Sequence, residues 1–362
     1  MRWLQDLLDE PRTPPSAVGN RALTVELTDR LSSEGAGLLY QTGVCPAIPV
    51  GVRLVRRPTA ANATRLVALP RNMHGGTMSD EGTNLDGVAE TMLITLYVRA
   101  LESERPDALM RDEKAVALVK EMGYDFSRME RIKIDETDMT ALILRNCEFD
   151  RYAQDFLARN PQGAVTHIGC GLDSRFERVD DGSVEWFDLD LPDVIEVRKR
   201  LLVVGEEPRY HLLGCSVLDD AWMDTVGALD RHAHLFMAEG VFMYLEEAQV
   251  RSLVLGLAER FPGAELVFDT FRPYLVRMNN LRMRRSEFSA RYHFGLKRPK
   301  DLERWGAGIH FLGAWFPFDR PEPRLARIRW VRFIPPLGKA LGIFHYRLGD
   351  APKQVLHGPL LR

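Results

Sequence analysis

The stretch Ala164-Val165-Thr166-His167-Ile168-Gly169-Cys170-Gly171-Leu172-Asp173-Ser174-Arg175 decides the fold. Its first five residues form a short apolar run that stops at a glycine, which reads as a strand entering a turn. Two glycines one residue apart let the backbone bend sharply and let a ligand approach closely. A dinucleotide fingerprint asks for a third glycine at position 174, where Ser174 stands. Alone, this pattern fits any tight strand-to-helix turn. The next apolar run, Val184 to Leu189, supplies the context, because it leads into Asp188-Leu189-Asp190. Asp190 lies about twenty residues beyond Gly169, the spacing at which a strand-end carboxylate accepts hydrogen bonds from a ribose diol. Leu191-Pro192 follows, so the same aspartate could instead sit at the start of a helix, where proline suits the first turn.

Working outward, Tyr210 to Leu213, His234 to Ala238 and Glu265 to Phe268 read as further strands. Between the last two, Val250, Leu253, Val254, Leu257, Ala258 and Phe261 recur at helical spacing, and Pro262-Gly263 ends the helix. Val88, Met92, Leu93, Leu96, Tyr97, Ala100 and Leu101 mark an earlier helix. Strands alternating with helices predict an α/β fold: a doubly wound, mainly parallel sheet with helices on both faces. Such sheets bind ligands beyond the carboxyl ends of their strands. The third strand leads into Ser216-Val217-Leu218-Asp219, where in a nucleoside site Asp219 or a backbone group would read the base amine. The fourth leads into Glu239-Gly240-Val241-Phe242-Met243-Tyr244-Leu245, where Glu239 could attract a cationic amine or sulfonium.

Composition narrows the class. The chain has 362 residues, 45% hydrophobic and 27% charged, with a net charge of −3. A disordered chain would be poorer in apolar residues and more highly charged. No apolar run nears the ~20 residues of a membrane helix. The N-terminus lacks the apolar core of a secretory signal. Cys45, Cys147, Cys170 and Cys215 are dispersed without a CxxC pair, which argues against a disulfide scaffold or structural zinc and suits a cytoplasmic protein.

Two segments differ from the rest. Residues 1–77 contain no lysine and are punctuated by proline and glycine, so they read as an N-terminal extension to an independent domain over 78–362, with a start-site artefact ahead of Met78 and a variable N-terminal subdomain as the alternatives. Residues 272–332 carry 13 Arg and 2 Lys against 5 Asp or Glu, with Phe288, Tyr292, Phe294, Trp305, Phe311, Trp315 and Phe316 interleaved. A solvated basic face is the plain reading. A basic lid that draws in an anionic or aromatic substrate is the functional one, and single-stranded RNA binding is a third.

From about Gly87 to Gly349 the chain resembles the leucine carboxyl methyltransferase family of class I S-adenosylmethionine-dependent methyltransferases. The resemblance rests on the ordered motifs Thr91 to Ala100, Gly169 to Arg175, Trp186 to Pro192, Ser216 to Asp219 and Glu239 to Leu245. The family has threonine where Ser174 stands, a change that keeps the hydroxyl. The resemblance implies a seven-stranded Rossmann-like sheet, a helical cap before residue 160 and the 272–332 lid over the site. It also implies S-adenosyl-L-methionine as cofactor. Arg145 would grip the methionyl carboxylate, with Gly169 and Gly171 beneath the methionine moiety. Asp190 would bind the ribose, Ser216 and Val217 would contact the adenine, and Glu239 would face the methionyl end.

The expected reaction is O-methylation of a carboxylate or hydroxyl on a small metabolite, such as a polyketide. A carboxylate acceptor is already ionised near neutral pH. A hydroxyl would gain from a general base, for which Tyr244, His293 and His310 are the candidates. No metal-ligand spacing appears, so no metal is expected. The alternatives from other classes are a nicotinamide-dependent dehydrogenase, which the missing third glycine disfavours, and an RNA-binding module built on the basic stretch. The oligomeric state is left open.

Overall fold

The computed structural model describes residues 85–121, 136–202, 207–229, 231–283, 291–306, 308–334 and 338–350. The proposed N-terminal extension, 1–77, lies outside the described residues.

Seven strands form one sheet: β1 Ala164–Ile168, β2 Glu185–Asp190, β3 Tyr210–Gly214, β4 His234–Ala238, β5 Glu265–Phe271, β6 His310–Trp315 and β7 Leu341–Arg347. Their order is β3-β2-β1-β4-β5-β7-β6. The first five are mutually parallel, and β7 runs antiparallel between β5 and β6. The mainly parallel seven-stranded sheet expected from the sequence is therefore present. The chain winds outward from β1 to β3, then returns to β4 on the other side of β1. That reversal opens a crevice at the carboxyl ends of β1 and β4, where open α/β sheets take their ligands.

Parallel strands are covered on both faces and so read as near-continuous apolar runs. Every residue of β1, β4 and β5 is buried. On one face, helix α7 (Glu247–Arg260) presents Val250, Leu253, Val254 and Leu257 to Phe236, Leu266 and Phe268. Each such side chain contributes about 1.5–3 kcal/mol on burial. On the other face, helix α3 (Glu136–Arg159) sets Phe149 and Phe156 against Val165, Trp186 and Val267. The remaining helices are α1 Leu85–Ser103, α2 Glu113–Glu121, α4 Arg175–Val179, α5 Pro192–Leu201, α6 Ala221–Gly227 and α8 Pro273–Met283. Helix α1 lies across the carboxyl end of β1 as the expected cap, its Met92 side chain packed on Gly171.

The stretch 272–332 is not one lid. Its first part does reach the carboxyl ends: His293 N donates to Met243 O (2.7 Å) and Leu296 N to Phe271 O (2.9 Å). Its later part supplies β6, which hydrogen-bonds to β7 at the sheet edge. The interleaved aromatics Tyr292, Phe294 and Phe316 are buried core. Arg324 is tied to Glu102 of α1 at 2.8 and 3.1 Å. Much of the composition that suggested a substrate lid is structural. No helix among the described residues is long and apolar enough to cross a membrane.

Candidate functional site

A cavity of about 250 Å³ occupies the switch point. Its floor comes from the segments that leave β1 to β5: Gly169 to Asp173, Leu189 to Leu191, Cys215 to Leu218, Glu239 to Leu245, and Phe271. Helix α1 covers it with Met92, Thr95 and Arg99, and α3 contributes Arg145 and Asn146.

The glycine turn has the shape the sequence anticipated. Gly169 has φ +70° and Gly171 φ +49°, a region that side chains disfavour. A Cβ on Gly169 would overlap Val241 Cγ2, so the backbone of the turn from β1 packs directly on a side chain of the loop after β4. Gly171 N donates to Asp190 Oδ2 at 2.8 Å, and Leu191 N donates to Asp190 Oδ1 at 2.8 Å. Burial pushes the Asp190 carboxyl above the usual aspartate range, against the pull of these two N–H groups. Its desolvation is only partly compensated, so further hydroxyl donors from a ligand would be favourable.

At the other end of the cavity lies a buried charge network. Glu239 Oε1 accepts from Arg145 Nε (2.9 Å) and Asn146 Nδ2 (3.0 Å), and Oε2 accepts from Arg175 Nη2 (2.6 Å). Burial acts against ionisation of Glu239, yet Arg145 and Arg175 hold its carboxyl below the usual glutamate range. Arg145 Nη1 also donates to Asp269 Oδ2 (2.9 Å), and Asp269 Oδ1 accepts from Gly240 N (2.6 Å). Arg175 is fully buried; its Nε donates to Asp150 Oδ1 at 2.7 Å, and its Nη1 lies 2.9 Å from His167 Nε2. Arginine only donates, so Nε2 accepts and Nδ1 carries the His167 proton, 3.4 Å from Asp188 Oδ1.

The structure thus brings together Arg145, Gly169, Gly171, Asp190, Ser216, Val217, Glu239 and Tyr244. Val217 O accepts from Trp222 Nε1 (3.1 Å), which fixes the loop after β3. Asp219 does not line the cavity; its Oδ1 accepts from Ala221 N at the start of α6. The two histidines are also elsewhere. His293 lies close by, its N donating to Met243 O, but its Nδ1 turns to Glu246 Oε1 at 2.6 Å and it does not line the cavity. His310 opens β6 and pairs with Arg347, which pairs with Glu265 at the start of β5. It stands at the amino end of the parallel strands, opposite the cavity. Sequence reasoning placed both in a lid; the register of β6 overrides that for His310. No group of three or more metal-binding side chains occurs among the described residues.

The profile of the leucine carboxyl methyltransferase family matches residues 92–258. The chain is 36% identical over 273 residues to the tetracenomycin polyketide synthesis O-methyltransferase of Streptomyces glaucescens, covering 74% of this chain and 98% of that one. The chain belongs to the leucine carboxyl methyltransferase family. A second relative, an S-adenosyl-L-methionine-dependent methyltransferase of Gibberella zeae, is 32% identical over 276 residues, covering 72% of this chain and 92% of its own length. A putative S-adenosyl-L-methionine-dependent methyltransferase of Mycobacterium tuberculosis is 28% identical over 275 residues, covering 69% of this chain and 82% of its own length.

Within this member of the family, several site residues were missed from sequence. Asp269 anchors Arg145 from inside β5, where the apolar run had been read only to Phe268. A charged residue within Leu266-Val267-Phe268-Asp269-Thr270-Phe271 was the available signal, because a buried carboxylate needs a partner. Arg99 and Arg175 sat inside quoted motifs, yet nothing local named their partners. Arg99 Nη2 donates to Leu172 O (2.8 Å) and Nε to Asp112 Oδ2 (2.9 Å), binding the cap to the glycine turn.

Proposed function

We propose that this cavity is the site of O-methylation of a small metabolite, with the cofactor held by the residues that leave β1 to β4. The chain is an S-adenosylmethionine-dependent O-methyltransferase. The observation that carries the site assignment is the convergence of the glycine turn, Asp190 and Glu239 on one cavity at the switch point. The described residues fit the cofactor. Gly169 lines the cavity at a point where a Cβ would collide with Val241, Asp190 is a desolvated acceptor at its edge, and Glu239 is a carboxylate held below its usual pKa beside it. When bound, S-adenosylmethionine supplies an electrophilic methyl group on a positively charged sulfur.

In this reading Asp190 holds the ribose hydroxyls, and the Ser216-Val217 segment lies against the adenine. Arg145 and Glu239 receive the charged amino-acid end. Arg145 keeps Nε on Glu239 and Nη1 on Asp269, so Nη2 is the edge left for a ligand carboxylate. Met92, Leu218, Met243, Leu245 and Phe271 give the rest of the wall an apolar character that suits a flat aromatic acceptor, a polyketide among them. The anionic acceptor anticipated from the basic stretch gains less support. The lining arginines Arg99 and Arg145 already face carboxylates at 2.9 Å. A carboxylate acceptor would need only to be held in line. For a hydroxyl acceptor, Tyr244, whose ring packs 5.2 Å from Tyr292, is the candidate proton acceptor that faces the cavity. We place the protein in the cytoplasm, where its dispersed thiols stay reduced.

The test is transfer of label from methyl-labelled S-adenosylmethionine to a panel of aromatic carboxylic acids, phenols and aliphatic alcohols. Label on an aromatic acceptor is the expected result. Label confined to aliphatic alcohols would overturn the aromatic assignment, and binding of NADH in place of S-adenosylhomocysteine would overturn the site itself.

A further inference from the structure

The guanidinium of Arg198, on α5, lies beneath the glycine turn and not in the cavity. It is almost wholly buried, at 1% exposure. Its Nη1 donates to Gly171 O at 2.9 Å, and its Nη2 to Asp173 O at 2.7 Å and to Asp188 Oδ2. Its Nε donates to Tyr210 Oη at 2.9 Å, and Tyr210 Oη donates in turn to Asp188 Oδ2 at 2.5 Å. Every nitrogen of the side chain is thus used, two of them on carbonyls of the one turn that carries the site.

Those two carbonyls flank Leu172. Arg198 thus holds the Gly171–Leu172 and Asp173–Ser174 peptides, and the adjoining Cys170–Gly171 peptide presents Gly171 N to Asp190 Oδ2 at 2.8 Å. The turn has positive φ at Gly169 and Gly171, so its backbone has alternatives that a residue with a Cβ would not have. A rigid fork is the side chain suited to select one of them, since its donors are coplanar and hold a set spacing. Asp188 has a supporting part. It sits in the middle of β2, fully buried, and accepts from Trp186 Nε1 at 2.8 Å as well as from Arg198 and Tyr210. It neutralises the guanidinium and holds one of its nitrogens.

We propose that Arg198 is a positioning residue for the cofactor: it fixes the glycine turn and, through Gly171 N, the orientation of the Asp190 carboxylate, without touching the ligand. The inference rests on the reading of Asp190 and the glycine turn as the cofactor site. It goes beyond that reading in giving the turn's shape to a residue of the following helix.

The test is calorimetric titration with S-adenosylhomocysteine at 10 °C, with thermal unfolding followed in parallel. Arg198→Lys keeps the charge facing Asp188 but cannot serve both carbonyls. Its dissociation constant should rise roughly tenfold while the protein remains folded at the titration temperature. Because breaking a buried pair can unfold a protein, a second variant carries both Arg198→Gln and Asp188→Asn, which leaves no unpaired buried ion and should show the same roughly tenfold loss. Tyr210→Phe leaves both carbonyl contacts in place and should stay within about threefold of wild type. In turnover assays the KM for S-adenosylmethionine should rise with kcat within about twofold, because no contact to reacting atoms is lost. Wild-type affinity in either folded Arg198 variant would overturn the proposal, reducing Arg198 to a contributor to stability. Failure of wild-type protein itself to bind S-adenosylhomocysteine would overturn the cofactor reading and this inference together.

Discussion

Replacing Asp269 by asparagine probes the least legible part of the site. Asp269 is fully buried and holds Arg145 Nη1 at 2.9 Å and Gly240 N at 2.6 Å. Asparagine retains one carbonyl oxygen, so the bond from Gly240 N persists. The other oxygen becomes an amide nitrogen, which sets a donor against the donor of Arg145. One charge-assisted hydrogen bond is lost, worth about 1.5–3 kcal/mol. The loss stays below the ~3–5 kcal/mol of a fully broken buried pair, because Arg145 keeps Glu239 at 2.9 Å. A cost of about 2–3 kcal/mol corresponds to a fall in Tm of roughly 3–6 °C for a domain of this size. Affinity for S-adenosylhomocysteine should fall as well, by about three- to tenfold, since Arg145 loses one of its two anchors. Scanning calorimetry and isothermal titration on the same preparation give both quantities. A Tm within 2 °C of wild type (about 1 kcal/mol or less) together with unchanged affinity would refute the anchoring role. A lowered Tm with unchanged affinity would remove Arg145 from the cofactor site while leaving the ion pair intact.

Three other outcomes follow from the geometry. Gly169→Ala should cost about 2–5 kcal/mol, from its positive φ and the overlap with Val241, and should abolish measurable cofactor binding; near-native binding would mean the turn can re-form around a methyl group. At the far end of the sheet, burial opposes ionisation of Glu265, but His345 (2.7 Å) and Arg159 (2.7 and 3.0 Å) hold its carboxyl at about 2. A depressed carboxyl pKa stabilises the fold above the unfolded value of about 4.3 and is lost as pH falls toward 2, so Glu265→Gln should cost about 1–2 kcal/mol at pH 7, allowing for solvent screening at half-exposed Arg159, and the difference should vanish near pH 2; a gap that persists in acid would assign the effect to packing. With a hydroxyl acceptor, Tyr244→Phe should lower kcat by about 10²-fold or more while His310→Ala leaves it unchanged; the reverse pattern would contradict the placement of His310 at the amino end of the strands.

What the sequence made legible was local. The strand at 164–168, the turn at Gly169 and Gly171, Asp190 and the helix ending at Pro262-Gly263 each follow from a few neighbouring residues and a single period. Glu239 was legible because a lone carboxylate at a strand end has few structural uses. The parts that stayed hidden depend on distant partners. Asp269 and Arg145 are 124 residues apart, and Arg198 reaches a turn 27 residues upstream, so neither pairing leaves a spacing to read. The basic stretch misled for a related reason. Charge and aromatic content describe a segment, whereas the antiparallel register of β6 on β7 decides that His310 faces the wrong end of the sheet. Tyr292 and Phe294 did not reveal themselves as core residues, because core and binding aromatics have the same composition and differ only in what packs on them.

The central claim is that the cavity at the switch point binds S-adenosylmethionine through the glycine turn and Asp190. Isothermal titration of wild type and Asp190→Ala with S-adenosylhomocysteine tests it most directly. The account predicts a single saturable site in wild type and an affinity lower by about 1.5–3 kcal/mol in the variant, the loss of a charge-assisted contact to the ribose. Equal affinity in a variant that unfolds cooperatively near the wild-type temperature would contradict it.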